Sequence, residues 1–390
     1  MNKISVWTKI FWTFFILIVS VNVAIQITGN TYIYKALIYT YADIDDLDIF
    51  DSRIVESANP QPWPTSVNYN KEKLPDSLLA ELEKNQSVAF LVIKNDSILH
   101  EQYWDQYDKN SYSNSFSMAK SIVSVLIGIA LDEGKIKSLD EPVGNYLPHF
   151  KNGRNGGLTI RHVLTMSAGL DWDESYSSLF SITTKAYYGS NLEKLMNGVN
   201  VVREPGKKFD YMSGNTLLLA MIVEKATGMH VSNYASEKLW KPLGAELPAQ
   251  WSLDHHDGEE KAYCCFYSNA RDFARFGKLY LDSGMWSPPG QYTGGEQIVS
   301  KNYVRESLTS AALDYEGNEL NCYGYQWWLT EEKGHRIFYA RGLRGQYIVV
   351  IPDERIIFVR LGKERDTPRA DHKLNDLMIY IDGVLQLTGR

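Results

Sequence analysis

A serine and a lysine three residues apart open the most chemically suggestive stretch of this chain, Ser117-Met118-Ala119-Lys120. At that spacing on a helix the two side chains share one face, a turn apart. A serine hydroxyl is a weak nucleophile until a base takes its proton, and a desolvated lysine can be that base. A helix N-terminus adds unpaired N–H groups and positive dipole where negative charge would develop. This is the only S-x-x-K in the sequence, and it starts a run in which Met118, Ile122, Val125, Leu126 and Ile129 recur at helical spacing. Taken alone, the pattern equally describes a capping serine and a solvated first-turn lysine.

Two further stretches supply partners. In Pro205-Gly206-Lys207-Lys208-Phe209-Asp210-Tyr211-Met212-Ser213, the Pro-Gly turn puts Tyr211 and Ser213 on a loop just before an apolar helix. A tyrosine beside a lysine ammonium is expected to have its pKa lowered, and so to serve as general base and then as general acid. Tyr112-Ser113-Asn114, Tyr176-Ser177-Ser178 and Tyr267-Ser268-Asn269 are spelled alike, but only Tyr211 has the Pro-Gly context and a helix following it. In Ala340-Arg341-Gly342-Leu343-Arg344-Gly345-Gln346, the glycines allow close backbone approach. A strand edge there could offer a second oxyanion N–H opposite that of Ser117.

The elements that must hold these groups read as follows. Residues 88–93 and 97–103 form a hairpin around Asn95-Asp96, and a helix covers 117–131. The part from about 139 to 260 is mostly helices and loops. Strands follow at 337–340, 346–351 and 355–361, then an amphipathic helix at about 370–387. The class is α+β: an antiparallel sheet formed from both chain ends, flanked by helices, with a mostly helical insertion.

The chain has 390 residues and a net charge of −7, which argues against a nucleic-acid binder. Lys3 and Lys9 precede an uncharged run, expected to be a transmembrane signal anchor over 10–34, after a cytoplasmic tail at 1–9. Residues 35–75 read as a tether, Pro-rich around Asn59-Pro60-Gln61-Pro62, with the folded domain from 76 to 390 outside the cytoplasm, on the periplasmic side of a bacterial inner membrane. Neighbouring Cys264 and Cys265 are expected not to bridge each other easily, leaving buried thiols. His255-His256-Asp257 is the only His/acid cluster, but adjacent histidines tend to point apart, and no metal site is assigned.

With its three motifs in this order, the chain resembles the serine β-lactamase and penicillin-binding superfamily, in its class C and esterase branch. Leu158-Thr159-Ile160-Arg161-His162, Leu239-Trp240-Lys241-Pro242-Leu243-Gly244, the stretch from Ala270 to Gly277, and Tyr323-Gly324-Tyr325-Gln326-Trp327-Trp328 are also similar to that branch. Tyr211-x-Ser213, and Ala340-Arg341-Gly342 where the lactamases carry Lys-Thr-Gly, are closer to the 6-aminohexanoate-dimer hydrolases. The resemblance implies a β-lactamase-like fold and two-step acyl transfer on a small amide or ester, with Ser117, Lys120 and Tyr211 catalytic. Leu343, Ser213 and Gly342 would support the oxyanion and the proton network. Tyr176, Gly345 and Gln346 would contact substrate. No metal or organic cofactor is implied. A non-catalytic binding or sensor module at the cell envelope is the competing reading.

Overall fold

The structure is a computed structural model that describes residues 5–291, 293–367 and 374–389. In chain order, the elements that position the site are helices α1 (Val6–Thr28), α2 (Tyr32–Tyr39), α3 (Asp76–Lys84), α4 (Met118–Asp132), α5 (Ile182–Tyr188), α6 (Ser213–Thr227), α7 (Ala270–Leu281) and α8 (Asn375–Leu387). The strands are β1 (Ser52–Val55), β2 (Ser87–Lys94), β3 (Ser97–Tyr103), β4 (Ser113–Asn114), β5 (Ala249–Ser252), β6 (Phe266–Ser268), β7 (Trp328–Glu332), β8 (His335–Gly342), β9 (Gln346–Ile351) and β10 (Ile356–Gly362).

The main sheet is antiparallel with strand order β7-β8-β9-β10-β2-β3, so the two chain ends do build it. Asn95 and Asp96, at φ 48° and 59°, make the tight turn between β2 and β3. Both central residues at positive φ match the twist of the flanking strands. Alternate residues of each strand bury on opposite faces. Phe90, Val92, Val349 and Phe358 join Leu78 of α3 and Leu377, Ile381 and Val384 of α8. Leu91, Ile93, Ile348, Val350 and Val359 join Ile122 and Leu126 of α4 and Phe273 and Phe276 of α7. A sheet covered on both faces needs apolar side chains at successive positions, which is why β2 and β9 read as unbroken apolar runs.

A second, four-stranded sheet has the order β1-β5-β6-β4, and its edge strand β4 leads into the turn before Ser117. Here the fold departs from the sequence reading. Residues 35–75 do not only connect: α2 packs against α5, and β1 pairs with β5 from Ser52↔Ser252 to Val55↔Ala249. A short strand with few apolar residues carries almost no periodic signal, so pairing decides it. The uncharged run at 10–34 is likewise two helices. Gly29, at φ 68°, closes α1, and Thr31 leads into α2. α1 is 23 residues of high mean hydropathy with no buried residue, long enough to cross a bilayer. Lys3 lies outside the described residues, and so does the expected start of the last helix at about 370, which is described from Asn375.

Candidate active site

Ser117 stands at the head of α4, after a turn held by Asn114. The Asn114 Oδ1 accepts from the Phe116 N–H at 2.9 Å and the Cys265 N–H at 3.1 Å. That grip keeps Phe116 at a φ of 43°, a left-handed conformation uncommon for a bulky residue. Strain of this kind persists only where surrounding structure over-determines it. It also sets Ser117 where the chain turns abruptly into the helix.

Lys120 is 1% exposed, and its Nζ reaches three oxygens: Ser117 Oγ at 3.1 Å, Ser213 Oγ at 3.2 Å and the Tyr263 carbonyl at 2.9 Å. Burial pushes its pKa down to about 8, against an opposing pull from Glu174. The ammonium also lies 5.4 Å from the centre of the Tyr211 ring. The Tyr211 phenol departs from the sequence reading. Burial raises its pKa to about 12, and Ser117 as hydrogen-bonding neighbour and the Arg341 charge only partly offset this. A partly desolvated phenol keeps its proton, so the neighbouring amine is the better base.

Ser213 begins α6, and both its polar groups meet one acid. Its N–H donates to Glu174 Oε2 at 2.7 Å and its hydroxyl to Glu174 Oε1 at 2.6 Å. The Trp172 indole N–H donates to the same carboxylate at 2.7 Å, and the Tyr176 hydroxyl to its other oxygen. Glu174 is thus the hub of the polar network, and the sequence reading missed it. Its only signal was one acid among several in Asp171-Trp172-Asp173-Glu174, with nothing to mark it.

The third motif places its residues unequally. A Cβ on Gly342 would overlap the Ser115 carbonyl oxygen, so only glycine lets β8 come this close to the turn before Ser117. Leu343 follows and lines the same cavity as Ser117. Gly345 and Gln346 lie outside that cavity, a correction to their expected contact with substrate. Gln346 is fully buried, its amide donating to the Leu343 carbonyl at 3.0 Å and the Gly362 carbonyl at 2.7 Å. The buried amide needed partners and found backbone, so it positions Leu343 instead. Gly345, at φ 79°, packs against Arg360, whose Nη1 donates to its carbonyl at 2.8 Å. Arg341 lies 3.7 Å over the Trp328 ring, whereas Arg344 lines the cavity and donates to the Ala42 carbonyl at 2.7 Å.

Beside Tyr263, Cys264 and Cys265 form a disulfide with each other, correcting the expectation of thiols. The bridge between neighbours closes with Cys265 at φ 63°, a conformation supported by the Asn114 bond to its N–H and by the Ser252 N–H donating to its carbonyl at 3.0 Å. Cys322 is half-buried and takes no part in this bridge.

Ser117, Ser213, Tyr263, Leu343 and Arg344 line a cavity of about 530 Å³, large enough for a drug-sized ligand. Tyr176, half-exposed, lines it with Tyr187 and Tyr188 from the loop and helix expected to border the cleft. The family model for beta-lactamase matches residues 76–382. The chain belongs to the beta-lactamase family. This family member is 29% identical over 307 residues to a 6-aminohexanoate-dimer hydrolase from Paenarthrobacter ureafaciens, covering 75% of this chain and 76% of the relative. A protein from Bacillus anthracis, provisionally described as a 6-aminohexanoate-dimer hydrolase, superposes with a TM-score of 0.70 at 20% identity, over 90% of this chain and 94% of that one. A D-stereospecific amidohydrolase from Streptomyces sp. superposes with a TM-score of 0.59 at 16% identity, over 79% and 98% of the two chains. The expected β-lactamase-like fold and membership among its hydrolases both hold.

Proposed function

We propose that this beta-lactamase-family hydrolase cleaves small amides or esters through an acyl-enzyme on Ser117. The observation that carries the reading is Lys120 Nζ, 3.1 Å from Ser117 Oγ, buried and with its pKa pushed down to about 8. In its neutral form the amine takes the Ser117 proton as the hydroxyl attacks the substrate carbonyl. The N–H groups of Ser117 and Leu343 stabilise the oxyanion. Tyr211 stays protonated at rest, donates to the departing amine or alkoxide, and is reprotonated from Lys120. Water then attacks the acyl-enzyme with the same groups in reverse. Glu174 has no substrate role here. Through Ser213 it fixes the geometry around Lys120, and its charge keeps the Lys120 pKa from falling further. α1 serves as a signal anchor with the cytoplasm on its N-terminal side, which places the catalytic domain outside the cytoplasm, on the periplasmic side of a bacterial inner membrane.

A fluorophosphonate probe tests the nucleophile. Labelling of the wild type that disappears in Ser117→Ala supports the enzyme, and a folded protein that never labels returns the binding-module reading. Screening against p-nitrophenyl esters, 6-aminohexanoate dimer, D-amino-acid peptides and nitrocefin tests the class. Esters or amides are expected to turn over faster than nitrocefin, because no Lys-Thr-Gly lysine stands ready for a β-lactam carboxylate.

A further inference from the structure

The far wall of the cavity comes from the segment that leaves the apolar helix. Ala36, Leu37, Thr40, Tyr41 and Ala42 line the same space as Ser117 and Leu343. α2 follows α1 after a tight turn, and the Tyr34 hydroxyl donates to Asn22 Oδ1 at 2.9 Å, folding α2 back against the last turns of α1. On its inner face α2 buries Tyr32 and Ala36. On its outer face it presents Leu37 (60% exposed) and Ile38 (73%), and Phe180 (80%) stands next to the cavity-lining Leu179. A helix designed for water alone would carry polar residues there. Exposed apolar side chains thus stand on α1, on α2 and beside the cavity, and patches of this kind mark a place where apolar ligand or membrane is met.

We propose that the substrate is a membrane amphiphile, an ester or amide bearing a long alkyl chain. Its carbonyl enters the cavity to meet Ser117 while the chain lies along Leu37, Ile38 and Phe180 toward the bilayer that holds α1. Any part of the chain that extends past the cavity meets these exposed apolar side chains. The proposal rests on Ser117 as nucleophile and on α1 as a membrane span, and it adds the substrate class.

The test uses the full chain in phosphatidylcholine vesicles, with p-nitrophenyl butyrate and p-nitrophenyl palmitate as substrates. Flotation with the vesicles reports on α1, fluorophosphonate labelling reports on Ser117, and the ratio of kcat/KM for palmitate over butyrate reports on the proposal. The expected ratio in vesicles is about tenfold or more in favour of palmitate, because the bilayer concentrates the long-chain ester beside the membrane-held site and the apolar side chains receive its chain as it leaves the lipid. Ile38→Glu/Phe180→Glu, shown to be folded by its labelling, should bring the ratio toward one. A floated, labelled protein that prefers butyrate, or a variant that keeps the wild-type ratio, overturns the alkyl-chain assignment. Loss of flotation, or absence of labelling, overturns it at its foundations, and each readout says which foundation failed.

Discussion

The two walls of the cavity are built in opposite ways. On the wall that carries Ser117, the charged groups are held by several partners: buried Lys120 reaches three oxygens, and Glu174 gathers Ser213, Trp172 and Tyr176. The α2 wall is mostly apolar, partly exposed and held at its end by the Arg344 bond to the Ala42 carbonyl. The contrast fits the work proposed for each wall. Proton transfer needs atoms fixed to within about half an ångström by a supporting shell. Accommodating an apolar group needs area and tolerates slack.

The comparison breaks most visibly on the first wall. Lys120→Ala and Tyr211→Phe should each lower ester kcat/KM by about 10²–10⁴-fold, with thermal unfolding little changed for Tyr211→Phe. Full activity in either variant would remove the proton path. Gly342→Val should come next. Its side chain collides with the Ser115 carbonyl, so the oxyanion edge must retreat; we expect about 10²-fold lower kcat and a destabilisation of about 1–3 kcal/mol, read by denaturant unfolding.

A pH profile sharpens the comparison. Below about 8 the Lys120 ammonium keeps its proton, so kcat/KM should fall about tenfold per pH unit on the acid side and level off above it. Glu174 favours the charged amine, so Glu174→Gln should move this limb to lower pH, whereas an unmoved limb would show that the acid acts only through Ser213. Stability has its own sign. The folded value of Lys120 lies below its ordinary 10.5, so the unfolded chain binds more protons between about 8 and 10.5 and stability rises with pH across that window. Lys120→Met should lessen that slope, with Lys261, also lowered by burial to about 7, supplying the remainder. The smallest effect belongs to the second wall: Arg344→Ala frees the backbone at Ala42 and should raise KM for short esters by a few-fold at constant kcat.

Much of the first wall was legible because it is local. The helix carrying Ser117 and Lys120 is written in a 3.6-residue apolar period, and the β2–β3 turn in Asn95-Asp96. Of the main-sheet strands, β2 and β9 announce themselves as unbroken apolar runs. β7 escaped notice because only its start, at Trp328, belongs to a conspicuous stretch. The partners of Lys120 were less legible. Ser213 was in view as support, but Glu174 lies in a loop where one acid looks like the next.

By itself the amino-acid order determined the serine–lysine pair, the individual apolar strands at both chain ends and an apolar N-terminal helix, since each depends on residues within a few positions of one another. Tertiary structure alone decided that the Tyr211 phenol holds its proton, that Gln346 turns inward to brace Leu343, that Cys264 bridges Cys265, and that α2 walls the cavity. Those outcomes come from desolvation and from contacts between distant segments. Both are properties of packing, which no short stretch of sequence encodes.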